Sequence, residues 1–256
     1  MPCVLQLTDL HLLTDPAGKL KDVCTRDEVE RVFAYVRDGI HSGRWSFDQI
    51  VVTGDLAHDE RRETYDIVRE MLGDWLPTCK LLLGNHDSRP LMREVFPELA
   101  PHEPDFFTFS SQVGDWRLIG LDSHIAGQVE GALGERQLEW LCKELRLHAQ
   151  QPTVLFVHHP PFDVGSAWVD ALGLQDAKSL LQVATGAPQV KAICSGHVHQ
   201  DREKRIGDLQ LLTTPSAVVQ FSVNSPEFSL DFIPPGFRIL YLEDESFQSE
   251  VIRLPR

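Results

Sequence analysis

In VLQLTDLH, residues 4–11, an apolar run is followed by an aspartate and a histidine, and this pattern indicates the fold. The pattern returns in QIVVTGDLAH (49–58), KLLLGNHD (80–87), TVLFVHHPP (153–161) and VKAICSGHVH (190–199). Each run has the length and apolar content of a buried strand. Ligands of α/β sheets bind beyond the carboxyl ends of the strands. We therefore expect these five polar turns to converge on one cleft.

Apolar runs alternate with amphipathic stretches along the chain, and this alternation predicts ten strands and four helices. The predicted strands are 3–7, 49–53, 79–83, 107–113, 117–121, 153–157, 190–194, 209–213, 217–222 and 238–242. The predicted helices are 26–41, 60–75, 135–148 and about 177–184, and residues 224–236, which contain three prolines, are predicted to form an ordered loop. Strands that first alternate with helices and then dominate favour an α/β domain with helices on the outer faces of its sheets.

The composition is that of an ordinary globular protein, with 256 residues and a hydrophobic fraction of 42%. We expect one domain over residues 1–256, in which residues 214–256 form a β-rich C-terminal segment that either closes the sheet or provides an interface. No apolar run is long enough for a membrane span. The formal charge of −14 argues against a nucleic-acid polymer as the partner. The monomer and the homodimer both remain open.

The five cysteines are widely spread and form no CxxC pair, which argues against a disulfide framework or a structural zinc site. The N-terminal residues contain no basic and apolar export signal. The compartment predicted from these two features is the cytoplasm.

The polar residues at the strand ends are typical metal ligands, and seven of the eleven histidines lie in the five turns. Each motif alone is weak, because an aspartate after a strand is more often a turn former or a helix cap. Together they provide carboxylates, an amide oxygen and imidazoles without a thiolate, a set that suits Fe, Mn, Zn or Co better than Ca. Seven ligands are too many for one tetrahedral ion. They suit two ions about 3.5–4 Å apart, as in two-metal phosphoester hydrolysis.

The motif set DxH, GDxxH, GNHD, HHPP and GHxH resembles the calcineurin-like metallophosphoesterase superfamily and, more narrowly, its class III cyclic-nucleotide phosphodiesterases. Residues 214–238 are similar to the C-terminal segment of the bacterial cyclic-AMP phosphodiesterases in that class. The resemblance implies a four-layer α-β-β-α sandwich. It also implies that a first ion is held by Asp9, His11, Asp55 and His199. The second ion would be held by Asp55, Asn85, His158 and His197, with Asp55 bridging the two. His158 is preferred to His159 because the superfamily pattern is His-x-Pro.

The activity that the resemblance implies is hydrolysis of 3′,5′-cyclic AMP to 5′-AMP by a metal-activated hydroxide, with two ions per subunit. Iron or manganese is expected, with zinc or cobalt as alternatives. His86 would be the catalytic group that protonates the leaving oxygen or stabilises its charge. The expected substrate contacts are His11, Asp55, Asn85, His86 and His199. Two alternatives stay open: a broader phosphodiesterase acting on 2′,3′-cyclic nucleotides or glycerophosphodiesters, and a non-catalytic scaffold.

Three further features have two interpretations each. Asp87 either orients a histidine or caps a helix that starts near Ser88. His58 either approaches the substrate or lies on a surface at a helix N-terminus, and the surface position is preferred. Residues 162–172, which include Trp168, either form a wall against the purine or simply pack beneath a loop, and packing is preferred.

Overall fold

The computed structural model describes residues 1–101, 103 and 105–256, which form two large β-sheets, two short β-ribbons and six α-helices. The strands are β1 (Cys3–Leu7), β2 (Lys19–Leu20), β3 (Val23–Cys24), β4 (Gln49–Thr53), β5 (Cys79–Leu82), β6 (Phe109–Val113), β7 (Trp116–Leu121), β8 (Thr153–Val157), β9 (Val190–Ser195), β10 (Arg202–Ile206), β11 (Leu209–Thr213), β12 (Gln220–Phe221), β13 (Leu230–Asp231), β14 (Gly236–Leu242) and β15 (Phe247–Arg253). The helices are α1 (Thr25–His41), α2 (Arg62–Leu72), α3 (Arg89–Val95), α4 (Gly134–Leu147), α5 (Ala167–Asp170) and α6 (Ala177–Thr185).

The first sheet has the strand order β15-β14-β1-β4-β5, and the second has the order β10-β11-β9-β8-β7-β6. In the first sheet β1, β4 and β5 are parallel, with Leu5 opposite Ile50 and Ile50 opposite Cys79. In the second sheet β7, β8, β9 and β11 are parallel. The parallel strands of each sheet therefore end on one edge, where polar turns can meet.

Three apolar clusters separate four layers. Between the sheets, Val51 of β4 and Phe156 of β8 belong to one buried cluster. The outer face of the first sheet packs against α1, α2 and α3, with Phe33, Val68 and Met92 among the contacts. The outer face of the second sheet packs against α4 and α6. These layers confirm the predicted α-β-β-α sandwich.

The sequence patterns missed one edge strand of each large sheet. The polar strands β10 and β15 were not predicted, because edge strands carry charged and alternating residues and lack a continuous apolar run. The strand predicted at 217–222 is wrong except for Gln220–Phe221. The helix predicted at 60–75 is α2 followed by a 3-10 turn at Gly73–Thr78. None of the helices in the described ranges combines the length and apolar character that a bilayer span requires.

Candidate metal centre

The five polar turns do meet, at the carboxyl ends of β1, β4, β5, β8 and β9. Backbone bonds continue the pairing of β1 with β4 beyond their ends, from Asp9 N to Gly54 O (3.0 Å) and from His11 N to Asp55 O (2.9 Å). Across to the other sheet, His197 N donates to both carboxylate oxygens of Asp9 at 3.2 and 3.1 Å. The two sheets therefore supply one site jointly. The structure brings together all the predicted site residues: Asp9, His11, Asp55, Asn85, His86, His158, His197 and His199.

One group of ligand atoms surrounds His11 Nε2. It lies 3.1 Å from His199 Nε2, 3.5 Å from Asp55 Oδ2 and 3.9 Å from Asp9 Oδ1. His199 Nε2 lies 3.3 Å from the same Asp9 oxygen. These are the four residues expected to hold the first ion.

A second group surrounds Asn85 Oδ1, which lies 3.0 Å from His197 Nδ1 and 3.3 Å from His158 Nε2. His158 Nε2 in turn lies 3.5 Å from Asp55 Oδ2. That single carboxylate oxygen is therefore equally distant from His11 of the first group and His158 of the second. The position is the one that a bridging ligand requires.

The nitrogen and oxygen atoms in these two groups are arranged as the ligands of a cation are. His158 donates from Nδ1 to Thr53 O at 2.8 Å, and His199 donates from Nδ1 to Val219 O at 2.9 Å. In the neutral rings each Nε2 then carries a bare lone pair, which faces other lone pairs on carboxylates, an amide oxygen or a second imidazole. Ligand bonds of about 2.0–2.1 Å put neighbouring ligand atoms roughly 3 Å apart. Both the spacing and the chemistry of the residues therefore fit metal ions.

The pKa values of the candidate histidine ligands depend on their burial and on their neighbours in the site. Burial, with the neighbouring His199, holds the pKa of His11 well below its usual range, and burial lowers that of His197 to about 3. Burial alone would also lower the pKa of His158, but the carboxylates of Asp55 and Asp9 outweigh it and raise that pKa. His11 and His197 are thus neutral at pH 7, the form that binds metal.

The backbone is strained at the same positions. Five candidate ligands have positive φ angles: Asp9 (55°), His11 (43°), Asp55 (53°), His197 (67°) and His199 (49°). Such a conformation costs a non-glycine residue about 1–3 kcal/mol and persists where the surroundings enforce it, most often at functional sites. In the described ranges nine non-glycine residues have positive φ angles, and five of them are these candidate ligands.

Glycine is required where the turns approach each other. A Cβ on Gly84 would lie 2.1 Å from Asp55 Oδ1, and one on Gly196 would lie 2.0 Å from Thr8 Oγ1. Gly84 thereby admits the Asp55 carboxylate, whose Oδ1 accepts a hydrogen bond from His86 N at 2.9 Å. The glycines of the GNHD and GHxH motifs are explained by this crowding.

Asp87 has neither of the two roles considered from the sequence. Its buried carboxylate accepts hydrogen bonds from Leu56 N (3.0 Å), Ala57 N (3.2 Å), Gly84 N (2.8 Å) and Tyr65 Oη (3.1 Å). It makes no side-chain cap on α3. Burial and the nearby Asp55 raise the pKa of Asp87 to about 7. Asp87 joins the turn that carries Asp55 to the turn that carries Asn85.

Replacing Asp87 by asparagine is expected to lower the free energy of unfolding by about 1–3 kcal/mol. The amide nitrogen must face either Gly84 N or the Leu56 and Ala57 amides, so at least one buried donor loses its acceptor. Urea unfolding of the metal-free protein measures the change. Asp66→Asn, on the exposed face of α2, is the control and should change stability by less than about 0.5 kcal/mol. Equal stability of the Asp87 variant and the parent would contradict this role.

His58 belongs to the site, and the preferred surface position was wrong. Its Nδ1 lies 3.2 Å from Nδ1 of His11, and its ring lies 4.5 Å from the ring of His86. The α2 helix begins only at Arg62, beyond this residue. His86 itself is half-buried, with its ring 5.1 Å from that of His11. The two half-buried imidazoles flank the ligand group on its open side.

Both ring nitrogens of His159 form hydrogen bonds to residues outside the two ligand groups. Its Nδ1 lies 2.8 Å from Ser123 Oγ, and its Nε2 donates to Val129 O at 2.9 Å. Neither nitrogen is free for an ion while these bonds persist. The geometry therefore favours His158 over its neighbour, as the His-x-Pro pattern does.

A cavity of about 300 Å³ opens above the ligand atoms. The predicted substrate contacts His11, Asp55, Asn85, His86 and His199 all line it, whereas Asp9 and His158 lie fully buried below. Trp168 lines the same cavity and also packs against Phe221 and Phe228, so both interpretations of this side chain stay open.

Comparisons with known proteins agree with the geometry. Residues 4–201 match the family model described as calcineurin-like phosphoesterase. The chain is 35% identical to a 3′,5′-cyclic adenosine monophosphate phosphodiesterase, CpdA, of Escherichia coli strain K12, over 98% of this chain and 89% of that protein. It is 34% identical to CpdA of Vibrio vulnificus, over 93% and 85%. Among solved structures, a dimetal phosphatase from Danio rerio has a TM-score of 0.72 at 15% identity and covers 98% of both chains. The predicted resemblance is confirmed, and the chain belongs to the calcineurin-like phosphoesterase family.

Proposed function

We propose that the protein hydrolyses 3′,5′-cyclic AMP to 5′-AMP with the help of two metal ions. The observation that carries the proposal is the position of Asp55 Oδ2, 3.5 Å from the ligand nitrogen of His11 and 3.5 Å from that of His158. The substrate follows from the relatives, since the E. coli and V. vulnificus proteins named for this activity match nearly the whole chain.

The proposed ligands of one ion are Asp9, His11, Asp55 and His199. The proposed ligands of the other are Asp55, Asn85, His158 and His197. This mixture of oxygen and nitrogen ligands supports iron or manganese, with zinc or cobalt as alternatives. Two ions held by these residues would supply an activated water as the nucleophile and positive charge beside the phosphate oxygens.

The chain's own side chains supply the rest of the mechanism. The Asp55 Oδ1 hydrogen bond to His86 N holds the GNHD turn against the ligand group. The His86 side chain is thereby kept at the cavity, where it can donate a proton to the departing 3′ oxygen. His58, next to both His11 and His86, supports their ring positions. Val129 and Leu172 line the apolar side of the cavity.

The proposal is tested with the purified protein loaded with Mn²⁺ or Fe²⁺. We expect 3′,5′-cyclic AMP to be converted to 5′-AMP, followed by chromatography, and the activity to be lost on chelation. A panel with 2′,3′-cyclic AMP and a glycerophosphodiester distinguishes the broader phosphodiesterase. A metal-loaded protein that hydrolyses these diesters but leaves 3′,5′-cyclic AMP intact would contradict the proposed substrate. A protein that binds metal and hydrolyses none of them would support the scaffold alternative.

We also propose that residues 1–256 act as one metallophosphoesterase domain. Its C-terminal segment, residues 214–256, extends the first sheet, since β14 pairs with β1 and β15 pairs with β14.

The oligomeric state and the compartment are also proposals. The monomer and the homodimer both remain open, and light scattering, which measures the molar mass in solution, distinguishes them. The five cysteines are free thiols, which supports the reducing cytoplasm as the compartment.

A further inference from the structure

We infer that Trp168, together with Phe221, forms a subsite that stacks a planar nucleobase beside the metal centre and so determines which diesters are preferred. The inference rests on the proposed function and adds the side chains that recognise the part of the substrate remote from phosphorus.

The cavity is polar on one side and apolar on the other. The polar side consists of the candidate ligands with His58 and His86. The apolar side is formed by Leu20, Val129, Trp168, Val169, Leu172 and Phe221. Hydrolysis of a phosphodiester requires only the polar side. The apolar side is therefore suited to a substrate that carries an apolar, flat group next to its phosphate.

The aromatic side chains of the cavity are in direct contact with a candidate metal ligand. Phe221 stacks on the imidazole of His199, with 4.1 Å between the ring centroids and 4° between the planes. Trp168 meets Phe221 edge to face at 5.1 Å, and Phe228 meets Trp168 at 5.2 Å. A group bound against these rings would therefore lie close to the candidate metal ligands, as the base lies close to the phosphate in a cyclic nucleotide.

Two further features indicate a recognition surface. The Trp168 indole N–H is buried and has no hydrogen-bond partner among the described residues, although a buried indole usually finds one. Lys21 lines the cavity from the turn between β2 and β3, where Lys21 and Asp22 both have positive φ angles, of 50° and 69°. Its Nζ lies 4.7 Å from the centre of the Phe228 ring. The turn between β2 and β3 and the loop between β12 and β13, which carries Phe228, therefore meet at the rim of the cavity.

A nucleobase fits this surface better than an aliphatic group does. Every base has a π-face, and base–aromatic stacking contributes about 1–3 kcal/mol per base, which corresponds to roughly 5- to 150-fold in kcat/KM. Stacking also tolerates different bases, so the subsite should favour nucleotides over diesters without a base more strongly than it favours adenine over guanine.

The test compares two substrates in four proteins. The substrates are 3′,5′-cyclic AMP and the same ribose 3′,5′-cyclic phosphate without its base. The proteins are the parent, Trp168→Leu, Trp168→Phe and the control Trp140→Leu, which changes a half-buried tryptophan on α4 outside the cavity. Leucine keeps an apolar side chain but removes the aromatic face, and phenylalanine restores that face. Thermal unfolding of each protein shows whether it is folded.

For the parent we expect a preference for cyclic AMP over the base-free substrate of about 5- to 150-fold in kcat/KM. Trp168→Leu should lose most of this preference through KM, while its rate on the base-free substrate changes less than about threefold. Trp168→Phe should recover most of it, and Trp140→Leu should keep it.

Equal losses on both substrates, or no loss of preference in Trp168→Leu, would overturn the subsite and leave the proposed function intact. A parent that does not hydrolyse cyclic AMP would overturn both. If Trp168→Leu is unfolded, Trp168→Met takes its place, because methionine also lacks the aromatic face but adapts to an irregular apolar space. A parent that hydrolyses the two substrates equally well has no base subsite.

Discussion

The Asp55→Ala variant is expected to lose at least about 1,000-fold in kcat/KM for 3′,5′-cyclic AMP. Asp55 supplies one carboxylate oxygen to both ligand groups, and its other oxygen accepts the hydrogen bond from His86 N. Alanine removes the shared ligand and releases the turn that carries His86. Metal ions stabilise the charge of the transition state by several kcal/mol, and each 1.36 kcal/mol is tenfold in rate.

The measurement is steady-state hydrolysis with metal content determined on the same samples. The fold should be retained, because alanine at Asp55 leaves the strands and the apolar layers unchanged. Asp55→Asn separates the two roles, since the amide oxygen can still accept from His86 N but has lost the charge. Asp66→Asn, exposed on α2, is the matched control and should retain full activity. Near-parental activity of Asp55→Ala at limiting metal would show that Asp55 does not bridge.

The His86→Gln variant is expected to lose about 100- to 10,000-fold in kcat on cyclic AMP while its metal content stays at the parental level. This is the usual contribution of a positioned general acid or base. His86 lies at the cavity but outside the two groups of ligand atoms, so its replacement should leave the ions in place.

Two substrates whose leaving groups differ in their need for a proton test whether His86 is the proton donor. The 3′ oxygen of cyclic AMP needs a proton to depart, whereas 4-nitrophenolate departs without one. His86→Gln should therefore lose less than about tenfold on bis(4-nitrophenyl) phosphate. His41→Gln, at the exposed end of α1, is the control and should behave as the parent on both substrates. Equal losses on the two substrates would show that His86 does not act on the leaving oxygen.

The candidate site could be predicted from sequence because its residues directly follow buried strands. For Asp9, His11 and Asp55, an apolar run fixes where the strand ends, and the polar residue after it can only lie at the sheet edge. The parallel order of the strands then brings distant turns together. The same reasoning explains why β1, β4 and β8 were predicted with their observed bounds.

What sequence reasoning missed depends on contacts between distant segments. Asp87 binds backbone amides of Leu56 and Ala57, which no motif links to it. His58 was misplaced because its neighbour His11 lies 47 residues earlier in the chain. Trp168 follows the HHPP motif by several residues, and only the fold shows that it faces Phe221. A signal for His58 was available, since it lies three residues after Asp55 in an already polar turn.

If seven side chains from the two sheets hold two metal ions, the number of ions that the protein binds must show it. The apoprotein is titrated with Mn²⁺ by calorimetry, and the bound metal is then determined by elemental analysis after gel filtration. The expected result is two equivalents per chain for the parent and fewer than two for Asn85→Ala, which removes the amide oxygen that lies 3.3 Å from His158 Nε2 and 3.0 Å from His197 Nδ1. A parent protein that saturates at one equivalent or binds none would contradict it.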